Sequence, residues 1–137
     1  MCKLFDLTGK IAIVTGASTG LGQGMSIGLA EAGANLVLVD YVEMSETENI
    51  ISSLGRDYIS LKLDLMNKES IDIIVNETKK KFGTIDILVN NAGIIRRAPA
   101  IEFSEKDWDD VMYLNSKVVF FLSQAVAKIM IPNKRGK

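Results

Sequence analysis

The most specific chemical signal in the sequence is the run Thr15-Gly16-Ala17-Ser18-Thr19-Gly20-Leu21-Gly22. Glycines spaced Gly-x-x-x-Gly-x-Gly let a backbone turn tightly and approach an anionic ligand, and a helix starting there points its N-terminus at a pyrophosphate. The run is not the strict Gly-x-Gly-x-x-Gly form, because Met25 stands where the last glycine would fall. A Walker-type phosphate loop is excluded, since no lysine follows the glycines. A purely structural glycine turn has the same composition, so a second residue must decide. Asp40 lies 24 positions beyond Gly16, at the end of the next apolar run. An acid placed there accepts a hydrogen bond from the 2′-hydroxyl of an adenosine ribose and repels a 2′-phosphate. No Lys or Arg lies between Asp40 and Ile51, whereas Glu43, Glu46 and Glu48 do, which favours NAD over NADP. The plain alternative is that Asp40 merely ends a strand.

Residues that are missing narrow the chemistry further. There is no histidine and one cysteine, Cys2. Ser-His-Asp and Cys-His catalysis, histidine metal sites and a Cys-rich zinc site are therefore excluded, and no metal is expected. Acid–base work would rest on Tyr, Lys, Ser, Asp, Glu or a bound cofactor. Sixteen Lys+Arg against seventeen Asp+Glu give a net charge of −1, without the basic excess of a nucleic-acid binder. The longest fully apolar run, Val118 to Leu122, falls far short of the roughly 20 residues of a membrane span. The first ten residues contain no apolar signal-peptide core, so a cytoplasmic protein is expected. With 137 residues, 47% apolar, the chain suits one globular domain.

These residues need elements to position them. Ile11–Val14 and Leu36–Val39 are short apolar runs that read as buried strands, and Ile59–Leu63 and the mostly apolar Ile85–Val89 read as a third and a fourth strand. The spacing between them predicts helices from about Leu21 to Ala32, stopped by Gly33, and over 43–54. A third runs from an Asn67 cap through Phe82 to Gly83, with Lys79-Lys80-Lys81 favoured at its negative end. A long fourth runs from a Ser104 cap to about Ile131, where Pro132 ends it. Alternating strands and helices with right-handed crossovers give an α/β fold, a Rossmann-type doubly wound parallel sheet that is incomplete, with strand order 3-2-1-4. Gly16, Asp40, Asp64 and Asn90 then gather on one rim.

Thr15 to Gly22, Asp64-Leu65, Asn90-Asn91-Ala92-Gly93 and Asn115 occur in the order and spacing of the short-chain dehydrogenase/reductase family, whose N-terminal part the whole chain resembles. The resemblance implies a nicotinamide cofactor, read here as NAD, bound by Gly16, Ser18, Thr19, Gly20, Leu21, Gly22 and Asp40. It implies that Asp64 and Leu65 contact the adenine end. Asn91, Ala92 and Gly93 would support the sheet and touch the cofactor, and Asn115 would be the catalytic asparagine that holds a water in a proton relay. More narrowly, Thr19–Met25, Gly93–Arg97 and Glu102–Met112 are similar to the group named 2-deoxy-D-gluconate 3-dehydrogenases or 2-dehydro-3-deoxy-D-gluconate 5-dehydrogenases, which serve uronate and pectin breakdown. That similarity implies a small-molecule sugar-acid substrate, and the family implies a homo-oligomeric parent, dimer or tetramer. A 3-oxoacyl-carrier-protein reductase would share the generic motifs. Arg96 and Arg97 could grip a sugar-acid carboxylate bidentately, or belong to a solvated loop or a subunit contact.

The family's chemistry also needs a Ser and a Tyr-x-x-x-Lys pair beyond a fifth strand, which Gly136-Lys137 would begin. Residues 1–137 therefore read as the N-terminal dinucleotide-binding part of one such domain, lacking its catalytic part and inactive alone. An apolar fourth strand left at the sheet edge points the same way, because natural edges are charged, short or covered. Two Tyr-x-x-x-Lys matches occur. Tyr58 and Lys62 lie on a predicted strand, about 13 Å apart. Tyr113 and Lys117 flank Asn115 on a helix and so face away from it. Neither is expected to be catalytic. A nucleotide-binding chain without turnover, or a remnant that joins complete subunits through its long helix, are the alternatives to an enzyme.

Overall fold

The computed structural model describes residues 3–137, so Cys2 lies outside the described residues. Four parallel strands, β1 (Ile11–Thr15), β2 (Asn35–Asp40), β3 (Tyr58–Lys62) and β4 (Ile87–Val89), form one sheet in the order β3-β2-β1-β4. Helices α1 (Gly20–Glu31) and α2 (Ser45–Ser53) cover one face. Helices α3 (Glu69–Phe82) and α5 (Val119–Met130) cover the other, with α4 (Glu105–Met112) leading into α5. Because side chains alternate across a strand, Ala12, Val14, Leu36 and Leu38 pack under α1 and α2, while Ile13, Val37 and Val39 pack against Ile74, Leu122 and Val126. Both faces of β1 and β2 are buried, which is why their sequences are unbroken apolar runs.

The expected strand order is observed, and the departures lie at element ends. β4 has three residues, not five. Asp86, just before it, is buried and its Oδ2 accepts a hydrogen bond from the Ile11 N–H (3.0 Å). Its Oδ1 lies 2.9 Å from Arg135 Nε, an ion pair without hydrogen-bond geometry. Asn67 does not cap α3. Its N–H closes a turn onto the Asp64 carbonyl (3.0 Å), and Lys68, in helical conformation, precedes the first turn. Gly83 ends α3 at φ +79°, and Ser104 caps α4 by accepting from the Asp107 N–H (3.1 Å). The predicted long helix is interrupted: Tyr113–Val118 winds as a π-helical turn between α4 and α5. Lys137 lies beside β4, donating to the Asp86 carbonyl and accepting from the Leu88 N–H, both at 3.0 Å, as a parallel neighbour would.

Candidate functional site

The glycine loop leaves the C-terminal end of β1 and is tied down on every side but one. Thr15, buried, donates its hydroxyl to the Val89 carbonyl (3.3 Å) and accepts from the N–H groups of Asn91 (3.1 Å) and Ala92 (3.0 Å), locking β1 to the end of β4. Asn91 directs its side-chain amide inward, to the carbonyls of Thr15 (3.1 Å) and Gly16 (3.2 Å). Gly16 takes φ +68°, and a Cβ on Gly22 would lie 1.8 Å from the Gly16 carbonyl oxygen, so the turn closes only with glycine at both positions. By contrast, a Cβ on Gly20 or Gly24 would meet nothing within 4 Å. The outer side of the loop is therefore open where α1 begins. The first N–H groups of a helix have no intrahelical acceptors and carry partial positive charge, so Gly20, Leu21 and Gly22 offer an anion cradle at that opening.

The Ser18 peptide is gripped from both ends. Its N–H donates to Asp40 Oδ2 (3.0 Å), and its carbonyl accepts from Gln23 Nε2 (3.3 Å) and lies 3.2 Å from the Thr47 hydroxyl. Thr47, fully buried on α2, also reaches the Ala17 carbonyl (2.9 Å) and accepts from Gln23 (3.1 Å). Asp40 is buried at the end of β2, and its Oδ1 accepts from the Tyr41 N–H (2.8 Å). It borders a cleft of about 50 Å³ lined also by Gly16, Tyr41, Leu63, Asp64, Leu65, Ala92 and Leu114. Asp64 and Leu65 thus come to the same cleft as the glycine loop. Asn90 does not join the rim's cleft, since its side chain donates to Ser123 on α5 (3.1 Å).

Asn115 lies in the π-helical turn, where its side chain accepts from the Ile94 N–H (2.9 Å) and donates to the Ile94 carbonyl (2.8 Å). Gly93 permits this approach, because a Cβ there would stand 3.2 Å from Asn115 Oδ1. Asn115, Ile94, Arg96, Trp108 and Met112 share a cavity of about 320 Å³ beyond β4. Arg96 is held there by Asp107 (3.4 Å) and donates to the Ile95 carbonyl (3.1 Å), while Arg97 is exposed. Neither decoy tyrosine reaches this cavity. Tyr113 and Lys117 border a separate cavity with Lys68 and Ile71 of the α3 side, the Lys117 ammonium 5.6 Å from the Tyr113 ring centroid. Tyr58 packs under the α1–α2 layer and Lys62 pairs with Glu43.

Some functional neighbours escaped the motif reading. Thr47 and Gln23 carry no motif; the one sequence signal for Thr47 is a polar residue on the face of α2 that also bears Ile51. Tyr41 and Leu114 line the cleft only because the chain turns there. Lys62 enters through strand register, which pairs it directly with Asp40. Among the described residues no group of three or more acidic or cysteine side chains could hold a metal ion, and no helix is long and apolar enough to cross a membrane.

A family model for short chain dehydrogenases matches residues 10–137. The 2-dehydro-3-deoxy-D-gluconate 5-dehydrogenase of Escherichia coli (strain K12) is 54% identical over 132 residues, covering 96% of this chain and 52% of that relative. A solved structure from Agrobacterium tumefaciens, described as a candidate 2-deoxy-D-gluconate 3-dehydrogenase with bound NADP, is 46% identical with a TM-score of 0.78. It aligns with 96% of this chain and 51% of that one. A short chain dehydrogenase from Mycobacterium paratuberculosis bound to NAD is 25% identical with a TM-score of 0.88, covering 96% of this chain and 54% of its own. The chain spans about half the length of the curated relatives it matches. It belongs to the short-chain dehydrogenase family.

Proposed function

We propose that this chain forms the dinucleotide-binding part of an NAD-dependent oxidoreductase acting on a sugar acid, in the breakdown of uronates or pectin. The observation that carries the cofactor reading is Asp40. A carboxylate has about four acceptor positions, and the Ser18 and Tyr41 N–H groups use two of them, leaving positions for ribose hydroxyls and none of the positive charge a 2′-phosphate needs. The pyrophosphate would lie against the N-terminus of α1, and the adenine against Asp64, Leu65, Ala92 and Tyr41. When bound, NAD supplies the hydride acceptor. Asn115 would hold a relay water at the rim of the cavity beyond β4.

The sugar-acid reading draws on the name of the 54%-identical relative and on Arg96, whose guanidinium borders the cavity that also contains Asn115. The exposed, edge-to-face rings of Phe120 and Phe121 on α5 accord with a homo-oligomeric parent. A second reading, nucleotide binding without turnover, is favoured by the placement of both Tyr-x-x-x-Lys pairs away from Asn115. The test follows NAD reduction with 2-deoxy-D-gluconate. Residues 1–137 by themselves should show no turnover, because neither Tyr-x-x-x-Lys pair stands at the cavity with Asn115 to give acid–base help, worth about 10²–10⁴-fold. A chimaera joining it to the remaining half of a sugar-acid dehydrogenase should turn over. Failure of a folded, NAD-binding chimaera would count against the substrate reading, and turnover by the chain alone, lost in Tyr113→Phe, would overturn the dismissal of that tyrosine.

A further inference from the structure

Sequence position hides a cation that the sheet brings to Asp40. β2 and β3 are parallel and in register at Asp40 and Lys62. Neighbouring strands stand about 4.8 Å apart, and paired residues point to the same face. Leu36 and Tyr58, four pairs earlier in this register and so on the same face, both pack under the α1–α2 layer, so Lys62 rises on the same side as Asp40. Its ammonium does not stand free: it is 2.5 Å from Glu43 Oε1, in the loop between β2 and α2. Both side chains are more than half exposed, 56% and 74%. An ion pair that exposed contributes little to folding stability. Its charge balance still matters to whatever docks against Asp40. With Glu43 in place, Asp40, Glu43 and Lys62 sum to −1; without it they sum to zero. A phosphate monoester carries about −1.5 to −2 charges at neutral pH, so it reads that difference directly.

We infer that Glu43 is a specificity-determining residue that neutralises Lys62 and so denies a 2′-phosphate the one cation that strand register places beside Asp40. The inference rests on the proposed seating of the adenosine ribose at Asp40. It explains how a cofactor site with a lysine on the adjoining strand can still favour NAD, and it locates the residue whose loss relaxes that choice. Asp40 continues to repel the 2′-phosphate in either case, so the effect is a narrowing of preference rather than a reversal.

The experiment measures NAD and NADP affinities of the chain by calorimetry at low ionic strength, where surface charges are least screened. Glu43→Gln should tighten NADP binding by about three- to tenfold and change NAD binding less than about twofold. Lys62→Met added to Glu43→Gln should remove the NADP gain. Equal changes for both nucleotides, or a gain that survives Lys62→Met, overturns the inference while leaving the cofactor reading intact. Binding of neither nucleotide by the folded wild type overturns both.

Discussion

The glycine loop and the segment after β4 are opposite solutions to holding a site. In the first, Asn91, Thr47, Gln23 and Asp40 converge from four separate elements or loops on the backbone of residues 15–18, Thr15 ties that backbone to the end of β4, and these hydrogen bonds are buried or part-buried. In the second, residues 93–112 are mostly exposed and α4 contains no buried residue. That segment's side-chain tie to the rest of the chain is Asn115 to the Ile94 backbone, while the Ser104 cap and the Arg96–Asp107 pair join residues within the segment itself. The difference teaches where this chain is self-sufficient. The end that would receive the adenosine and pyrophosphate is assembled from its own cross-ties, whereas the segment after β4 is mostly exposed and held by few of them.

Mutations can break or sharpen that contrast. The largest effect should come from Gly22→Ala, whose Cβ would stand 1.8 Å from a backbone oxygen. Loss of more than about 2 kcal/mol in denaturant unfolding and loss of nucleotide binding are expected. Thr15→Val removes the donor to Val89 and the acceptor for two N–H groups, and should cost about 1–3 kcal/mol. On the open side, Ser104→Ala should cost only about 1 kcal/mol, the worth of one helix cap. Arg96→Met should shift stability by less than about 0.5 kcal/mol, as an exposed ion pair does. If Ser104→Ala or Arg96→Met proved costlier than Thr15→Val, the two regions would not differ as described.

What could be read from residues alone follows the same division. The strand order, the glycine loop and Asp40 were legible because each obeys a local rule: continuous apolar runs, a required positive φ at Gly16, an acid at a strand end. The π-helical turn at Tyr113–Val118 was not, since no Pro or Gly marks it and the contact it carries, Asn115 to the Ile94 backbone, is a tertiary one. Asn67 looked like a cap because its type suits one, yet it closes a turn that begins at Asp64, and the helix starts at Glu69 after Lys68, one residue too late for Asn67 to stand at its N-terminus. Lys62 was invisible as a neighbour of Asp40 because 22 residues separate them and only the sheet register joins them.

Hydrogen exchange of the chain with and without saturating NAD tests the central claim, that the adenosine–pyrophosphate end is preassembled here and the substrate end is not. NAD should slow exchange at residues 16–22, 40–41 and 64–65 and leave residues 94–112 unchanged. Protection confined to residues 94–112, or no protection anywhere in a chain shown to be folded, would contradict it.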